Sequence, residues 1–293
     1  HDALPILSKC FDTINHDILL DKLERYGICN HELEWFKSYL QDRYQIVYCN
    51  GVSSREQKID IGVPQGSILG PTLFLLYVND LNQHVDNGIC NLYADDTIIY
   101  VTGRTVDEVN VNLQKCIDKV CQWYDRNSLV LNPSKSQTML IASSHKYAKF
   151  KKQDNSHKLD IKISGKKLEQ VKTAEYLGIQ IDETLSWNSQ VARLSSKISK
   201  MLSMLNRMRK STPMIFRRTI YLSYIQPIID YACTVWGNTS KKNLRVVQRL
   251  QNRAARIVIE NFDYENFRSE ELVTSLGWQN FVQRKNYYLA TLM

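Results

Sequence analysis

GVPQGSILGPTLFLLYVNDL, residues 62 to 81, tells more about how this chain folds than any other stretch of it. Its three glycines let the backbone approach a ligand or another segment closely, and Pro71 suits the first turn of a helix. The residues from 67 to 81 are apolar on nearly all sides, which predicts a buried helix behind a tight loop. Gln65 lies where its amide could reach a substrate. On spacing alone, a loop that binds a ligand and a loop that only caps the helix are equally favoured.

The segments on either side of this stretch indicate a mixed helix and strand domain. Apolar residues recur at helical spacing from 17 to 40, with a break around Gly27, and again from 106 to 123. Asn50-Gly51 stands between two alternating apolar runs, a pattern that favours a β-hairpin. With the strand-like segments that follow residue 88, this is an α+β pattern with a mainly antiparallel sheet.

The part of the chain beyond residue 183 differs in composition and is predicted to be all helical. Three helical periodicities cover residues 191 to 208, 215 to 236 and 244 to 257. The lysine-rich residues from 145 to 170 show little periodicity, which predicts an exposed loop and hairpin. We therefore expect two domains, residues 1–183 and residues 184–293.

Charge is distributed unevenly between the two halves of the chain. The net charge is +8, from 38 Lys and Arg against 30 Asp and Glu, and the basic excess lies entirely after residue 140. This distribution favours a basic part that grips a polyanion and an acidic part that holds metal ions, although a basic surface can also serve solubility alone. The seven cysteines form no CxxC pair, so no zinc knuckle or disulfide framework is indicated and a reducing compartment fits best. No apolar run is long enough to span a membrane.

YADD, at residues 93 to 96, places two adjacent carboxylates inside a strand-like segment. Neighbouring side chains of a straight strand point to opposite faces, so Asp95 and Asp96 can share one site only at a tight hairpin. Paired carboxylates at such a turn suit hard cations such as Mg²⁺. A solvated Asp-Asp turn without function is the alternative, and the dipeptide alone favours it.

The order of short motifs along the chain resembles the successive palm motifs of reverse transcriptases, and most closely those of non-LTR, LINE-type retrotransposons of the Jockey and CR1 kind. The segments that carry the resemblance are FD at 11–12, GVPQGSILGP at 62–71, YADD at 93–96, LNPSK at 131–135 and AEYLGIQID at 174–182. YLSYIQPIIDYACTVWG at 221–237 and LQNRAARIVI at 250–259 are similar to the region after the palm in those elements.

The resemblance implies an RNA-directed DNA polymerase of the right-hand type. Its palm, an antiparallel sheet with packed helices, would occupy residues 1–183, and a thumb-like helical region would occupy residues 184–293. The implied substrates are an RNA template, a DNA primer, their RNA-DNA hybrid and dNTPs. The implied cofactor is Mg²⁺ or Mn²⁺, which aligns the primer 3′-hydroxyl with the nucleotide in a two-metal reaction. We expect an intracellular protein of the nucleus or cytoplasm, with fingers encoded upstream of residue 1.

The resemblance also assigns the metal and nucleotide residues. Asp95 matches the metal ligand of the family, and Asp96 is its neighbour. Phe11 matches the bulky residue that excludes a ribose 2′-hydroxyl, so deoxynucleotides would be preferred. Gln65 and Gly66 match the loop against which the nucleotide and the template pack.

Two further assignments concern the leaving group and the primer. Lys135 matches the lysine near the triphosphate, where it could donate a proton to the leaving group. Residues 171 to 182 match the hairpin that holds the primer end.

One position departs from the family pattern. A metal-bridging aspartate is expected five residues before the bulky aromatic Phe11, and Ile6 stands there instead. An isoleucine cannot bind Mg²⁺. Pro5 is also unfavourable in a central strand. Asp12 matches the second aspartate of the same motif and does not replace the first. We therefore expect little or no polymerisation by this chain.

The basic half suggests a second function that needs no catalysis. Arg245, Arg249, Arg253 and Arg256 step by four, four and three, so they are predicted to form one face of a helix that could follow phosphates. A solvated amphipathic face is the alternative. A nucleic-acid-binding remnant of a polymerase is thus the competing function, and a relic without a stable fold is a third possibility. The aromatic residues Tyr221, Tyr224 and Trp236 are predicted to lie in the core.

Overall fold

A computed structural model describes residues 10–86, 88–152 and 158–292, which form two compact units. Within these residues, the N-terminal unit runs to Leu140 and includes Tyr147–Val171. The C-terminal unit includes Ile141–Lys146 and the chain from Lys172 onward. The predicted division at residue 183 into palm and thumb concerns functional domains and stays a prediction.

The N-terminal unit combines helices with short strands. Its helices are α1 (His16–Arg25), α2 (Asn30–Leu40), α3 (Leu69–Val78) and α4 (Val106–Arg126), and α5 (Ser144–Lys152) contains residues of both units. Its strands are β1 (Arg43–Gln45), β2 (Tyr48–Cys49), β3 (Val52–Ser53), β4 (Gln57–Ile59), β5 (Ile89–Tyr93), β6 (Asp96–Tyr100), β7 (Gln137–Thr138), β8 (Lys162–Ile163), β9 (Lys166–Lys167) and β10 (Glu169–Gln170). The mixed helix and strand content confirms the coarse fold prediction.

The strands pair two by two and do not merge into one sheet within the described ranges. Five pairs are antiparallel, and β7 with β10 is parallel. The prediction of a mainly antiparallel arrangement therefore holds for the pairs, whereas a continuous sheet is not seen among the described strands. Strands this short, most of them joined by tight turns, take their hydrogen-bond partners from nearby segments of the chain.

Two local predictions have different outcomes. The hairpin at Asn50-Gly51 is confirmed, because β2 and β3 pair across these two residues and both have positive φ, 50° and 82°. The helix expected to be buried on nearly all sides is buried on one face only. Leu73 and Tyr77 of α3 are fully covered, whereas Ile68 just before it is 94% exposed and Leu75 is 51% exposed.

A buried ammonium joins the helices of the N-terminal unit. Lys22 on α1 donates from Nζ to the carbonyl of Tyr77 at 2.6 Å and to the carboxylate of Asp80 at 2.7 Å. The same Nζ lies over the rings of Tyr77 and Trp123. Burial lowers the pKa of Lys22, and Asp80 opposes that effect. A charge that is paired and hydrogen-bonded in this way ties α1 to the end of α3 and to α4.

The lysine-rich segment is more ordered than its composition suggested. Besides the predicted hairpin, now β8 and β9, it contributes part of α5, and Leu159, Ile161 and Ile163 are buried at every second position. The side-chain amides of Asn110 and Gln114 on α4 bond the backbone between residues 158 and 162, as a neighbouring strand would. The lysines conceal this alternation, since they occupy the outward positions.

The C-terminal unit is a hairpin followed by helices, as expected after residue 183. The hairpin strands are β11 (Thr173–Tyr176) and β12 (Ile179–Asp182). The helices are α6 (Asn188–Met208), α7 (Met214–Ile220), α8 (Gln226–Asp230), α9 (Cys233–Trp236), α10 (Lys241–Ile259), α11 (Ser269–Ser275) and α12 (Phe281–Leu292). In this part of the structure, as in the rest that is described, no helix is both long and apolar enough to cross a membrane.

A turn of π-helix at Tyr221–Ile225 interrupts the second predicted helix. Pro227 cannot donate the hydrogen bond that a regular helix requires, and a local change of helical pitch accommodates it. Tyr221 and Trp236 are fully buried, which confirms their place in the core. Tyr224 is 65% exposed, so the same prediction for it was wrong. The wider turn buries residues 221 and 225 and leaves residue 224 outside.

The carboxylate of Asp182 organises the start of α6. It accepts hydrogen bonds from the backbone N–H groups of Thr184, Ser186 and Trp187 and from the hydroxyls of Thr184 and Ser186. Burial opposes the charged form, but these bonds outweigh burial and lower the pKa of Asp182. Trp187, in the left-handed region with φ of 63°, is thereby fixed as the residue before the helix.

We predict that Asp182→Asn lowers the free energy of unfolding at pH 7 by about 2–4 kcal/mol, because an amide oxygen cannot replace a carboxylate with five donors. The folded pKa lies below the unfolded one. The stabilisation is therefore complete above pH about 4 and is lost as pH falls through the folded value. Urea denaturation at several pH values measures this.

The matched control is Asp160→Asn in the N-terminal unit. Asp160 is exposed and, among the described residues, forms an ion pair with Lys167 alone, so solvent screens the pair and stability should not change measurably. Equal effects of the two substitutions, or an Asp182→Asn protein with unchanged acid sensitivity, would contradict the assignment.

Candidate active site

Hydrogen bonds hold the motif segments around residues 11–16 and 61–65 side by side. The N–H of Val63 donates to the carbonyl of Phe11 at 2.8 Å, and the N–H of Gly62 donates to the carbonyl of Ile14 at 2.7 Å. His16 closes the arrangement, since its Nε2 lies 2.7 Å from the Gly62 carbonyl and can only donate to it. We call these contacts the clamp.

The clamp requires glycine at residue 62. Gly62 has φ of +82°, a conformation that L side chains rarely adopt, and a Cβ there would lie 2.9 Å from the backbone of Asp12. Gly66 has a similar φ of +79°, but nothing lies within 4 Å of its Cβ position. Close approach of two backbones, and not φ alone, therefore distinguishes Gly62.

The clamp brings three of the motif side chains together. The ring of Phe11 packs against Phe74 of α3 with centroids 5.0 Å apart. Gln65, next to Gly66, donates from Nε2 to Asp12 Oδ1 at 2.7 Å. The structure therefore places the predicted nucleotide residues Phe11, Gln65 and Gly66 in one neighbourhood. Asp12, which sequence reasoning treated only as a motif neighbour, fixes the glutamine amide.

The predicted carboxylate hairpin is present, but its turn lies one residue earlier than expected, since Asp95 and Asp96 were predicted to form the tip. Tyr93 pairs with Asp96 across β5 and β6, so Ala94 and Asp95 form a two-residue turn. Ala94 has φ of 50°, in the left-handed region that a two-residue hairpin turn requires. Both carboxylates are half-buried. On β6 the hydroxyl of Thr97 lies 3.3 Å from that of Tyr124 on α4.

The electrostatics of the hairpin suit a cation. Burial and then the charge of Asp95 raise the pKa of Asp96, so the two carboxylates repel each other. A divalent cation would offset that repulsion. Across the described ranges, however, no three His, Cys, Asp or Glu side chains converge on one point. Asp95 and Asp96 thus have no third His, Cys, Asp or Glu beside them among the described residues, and Ile6 lies outside those residues.

Lys135 is half-buried in the turn that begins at Asn132, where its N–H donates to the Asn132 carbonyl at 3.1 Å. This bond closes a turn at Asn132-Pro133. No hydrogen bond in the described part of the chain joins the Lys135 ammonium to Gln65 or to the carboxylate hairpin. Its role near a triphosphate stays a prediction.

The hairpin of β11 and β12 is fixed within the C-terminal unit. The hydroxyl of Tyr231 donates to the Leu177 carbonyl at the turn, at 2.7 Å. From α6, Gln190 accepts from the N–H of Gln180 at 2.9 Å, and Arg193 forms an ion pair with Glu175 at 2.8 Å. Sequence reasoning predicted the hairpin but missed these residues, because they are distant in the chain.

The arginine face on α10 needs one correction. Arg245, Arg249 and Arg253 are exposed, as predicted, but Arg256 is only 4% exposed. Its guanidinium donates to the Ser269 hydroxyl and to carbonyls of the following loop, at residues 261, 263 and 267, and it stacks on Tyr264 at 4.1 Å. Arg256 therefore stabilises the fold and is not available to bind phosphate.

Comparison with known proteins decides the family. The model of the family "Reverse transcriptase (RNA-dependent DNA polymerase)" matches residues 7–181. The chain belongs to the reverse transcriptase family. This family membership explains why GVPQG and YADD occur in this order.

Similar proteins include three from Drosophila melanogaster, all from transposable elements. The chain is 28% identical over 270 residues to the "Probable RNA-directed DNA polymerase from transposon BS", which covers 87% of this chain and 28% of that protein. It is 25% identical over 261 residues to the "RNA-directed DNA polymerase from mobile element jockey". That alignment covers 85% of this chain and 27% of the relative. It is 26% identical over 230 residues to the "Probable RNA-directed DNA polymerase from transposon X-element". That alignment covers 76% of this chain and 24% of the relative. The chain thus spans less than a third of the length of these relatives, and the LINE-type resemblance of its motifs is confirmed.

We predict that Gly62→Ala lowers the free energy of unfolding by roughly 3 kcal/mol or more, since it adds a backbone clash to the strain of positive φ. Gly66→Ala is the matched control and should cost only the conformational strain, about 1–2 kcal/mol. Urea denaturation of both variants measures the difference. Equal losses would show that the close approach of Gly62 to Asp12 is not a constraint.

Proposed function

We propose that this chain is the polymerase segment of a non-LTR retrotransposon reverse transcriptase, which extends a DNA primer on an RNA template with dNTPs. The observation that carries the proposal is the clamp, because it joins Phe11, Asp12 and Gln65 at one place as the family motifs require. The tight turn at Asp95 and Asp96 supports it. The RNA-DNA hybrid, which is the product of that extension, is an expected ligand as well.

The proposed division of labour follows the motifs. The palm occupies residues up to 183, and the helices beyond form the thumb. The hairpin of β11 and β12 would hold the primer end. We also propose an intracellular location, in the nucleus or the cytoplasm, where template RNA and target DNA are found.

The side chains have distinct proposed tasks. The Phe11 ring, held against Phe74, would exclude a ribose 2′-hydroxyl, and Gln65, held by Asp12, would pack against the nucleotide and the template base. Lys135 would donate a proton to the departing pyrophosphate.

Asp95 and Asp96 would hold one Mg²⁺ or Mn²⁺. When bound, such ions neutralise the charge that develops during phosphoryl transfer. The residues described do not supply a complete two-metal set. We therefore derive impaired catalysis from the sequence: the position of the bridging aspartate is Ile6, and losing such a group costs about 10²–10³ in rate.

We predict that Ile6→Asp strengthens Mn²⁺ binding and, in a protein that also carries the fingers expected upstream, raises primer extension by about 100-fold over the same protein with Ile6, since it restores a carboxylate ligand. Calorimetry measures the first effect, and extension of a labelled DNA primer on RNA with dNTPs and Mg²⁺ measures the second. Ile6→Asn, similar in size but uncharged, should leave both near the starting values. Robust extension by the unmodified chain, abolished by Asp95→Asn, would uphold the polymerase and refute the impairment.

A non-catalytic nucleic-acid-binding function is the second candidate. It is favoured by the exposed Arg245, Arg249 and Arg253 on α10, in a half of the chain where basic residues prevail. Such residues give salt-dependent contacts to phosphates regardless of sequence. Binding of RNA-DNA hybrid that is independent of Mg²⁺ and Asp95, without extension by the Ile6→Asp variant, would favour this function over the first.

We predict that substituting Arg249 affects nucleic-acid binding, whereas substituting Arg256 affects stability. Arg249→Gln should weaken binding to an RNA-DNA hybrid and reduce the slope of log K against log salt by roughly 1, with stability unchanged. Arg256→Gln should lower the free energy of unfolding by about 2–4 kcal/mol, because it leaves buried carbonyls without a donor. Fluorescence anisotropy across a salt series and urea denaturation separate the two. A stable Arg256→Gln variant that binds nucleic acid less tightly would show that Arg256 contacts the nucleic acid and does not stabilise the fold.

A further inference from the structure

Three exposed apolar side chains follow one another at the start of α7, in the C-terminal unit. Met214 is 45% exposed, Ile215 is 62% exposed and Phe216 is 60% exposed. Single apolar side chains are common on protein surfaces, but a run of large ones is the kind of patch that marks an interaction site. We call these three residues the α7 patch.

The free charges beside the α7 patch are basic. Lys210 and Arg218 lie on either side of it in the sequence, and neither forms an ion pair within the part of the chain that the structure describes. The carboxylate of Glu260 is already shared between Arg209 and Arg217. The α7 patch therefore suits an apolar surface with a free carboxylate at its edge.

A groove of about 410 Å³ in the same unit has an apolar bed. It lies between the first half of α10, α11 and the start of α12. Its volume is within the range of ordinary binding sites, so it has room for a large apolar side chain. The apolar side chains that line it are Leu244, Val273, Trp278, Phe281 and Val282.

The groove also has a free carboxylate. Asn280 and Gln283 line it, but each side chain accepts from the backbone N–H of the other residue at the start of α12. Glu270 is exposed at the edge and has no side-chain partner among the described residues. Arg245 lies on the α10 side and is also exposed, so its long side chain can extend into solvent. The groove thus complements the α7 patch in both polarity and charge.

The α7 patch cannot fill the groove of its own chain. Arg217 on α7 donates from Nε to the carbonyl of Val258, near the end of α10. The groove involves α10 only as far as Gln248, and ten helical residues separate the two positions by ~15 Å. No residue of α7 lines the groove. A second molecule must therefore supply the side chains that fill it.

We propose that two copies of this chain associate head to tail, with the α7 patch of one copy in the groove of the other and Arg218 beside Glu270. A nucleic acid is a poor occupant, because the walls are apolar and Glu270 repels phosphates. The contact is small, so the association is weak and reversible. It needs neither template nor metal and is independent of the proposed polymerase function.

Sedimentation velocity of the whole chain at roughly 1–100 μM, without nucleic acid or metal, tests this contact. The average mass should rise with concentration. Phe216→Asp in the patch and Val282→Lys in the groove should each weaken association at least about tenfold, since each puts a charge into the apolar contact. Both positions are exposed, so the variants should fold, and urea denaturation checks that they do.

Two controls match these substitutions. Val52→Asp introduces a carboxylate at another exposed apolar position, in the N-terminal unit, and should leave association unchanged. Glu270→Lys should weaken association, whereas Glu56→Lys, an exposed site of the N-terminal unit with the same change of charge, should not.

A mixture of the two single variants distinguishes this contact from any symmetric one. The Phe216→Asp copy keeps its groove and the Val282→Lys copy keeps its α7 patch, so one contact can form between them. A head-to-tail contact leaves a free patch and a free groove at its ends, and in this mixture both ends are blocked. The mixture should therefore form dimers and nothing larger.

Four results would overturn the proposal. They are a monomer at every concentration, association that persists in Phe216→Asp, a mixture that stays monomeric, and dimers lost in Phe216→Asp but kept in Val282→Lys. The last result would show that two α7 patches pack on each other and that the groove has no part in the contact.

Discussion

The close contact between the backbone of Asp12 and that of Gly62 is the constraint on which the candidate site depends. Only a residue without Cβ lets the two segments approach, and the bonds from Gly62, Val63 and His16 then fix their register. Gln65 reaches its carboxylate partner because that register is fixed. The proposed nucleotide site therefore depends on a single glycine.

The residues proposed to bind ligands are held in place by side chains that have no proposed role in binding or catalysis. The hairpin with Asp95 rests on α4 through Thr97, and α4 is itself joined to α1 by the buried Lys22. In the C-terminal unit, Asp182 fixes the start of α6, from which side chains reach back to the hairpin of β11 and β12. Each unit thus has a buried charged side chain whose hydrogen bonds join the elements next to an exposed turn.

The sequence predicts what is local and misses what is distant. The hairpin at Asn50-Gly51 and, to within one residue, the turn at Ala94-Asp95 follow from turn chemistry within a few residues, and α4 follows from its period. In the sequence, Lys22 looks like an ordinary surface lysine. Only the structure shows that Asp80 and Trp123 surround its ammonium group. By spacing, Arg256 belongs to the arginine face of α10. In the structure its guanidinium instead donates to backbone carbonyls of the loop that follows the helix. Such contacts depend on tertiary packing, for which one sequence carries no local signal.

The central claim is that this chain retains a nucleotide and template site while its cation site is incomplete. A crystal structure with a DNA primer, an RNA template, a dNTP and Mn²⁺ tests it most directly. We expect the nucleotide against Phe11 and Gln65, the template base beside Gln65, and one Mn²⁺ at Asp95 and Asp96. A nucleotide bound elsewhere, or two fully coordinated ions at the hairpin, would contradict it.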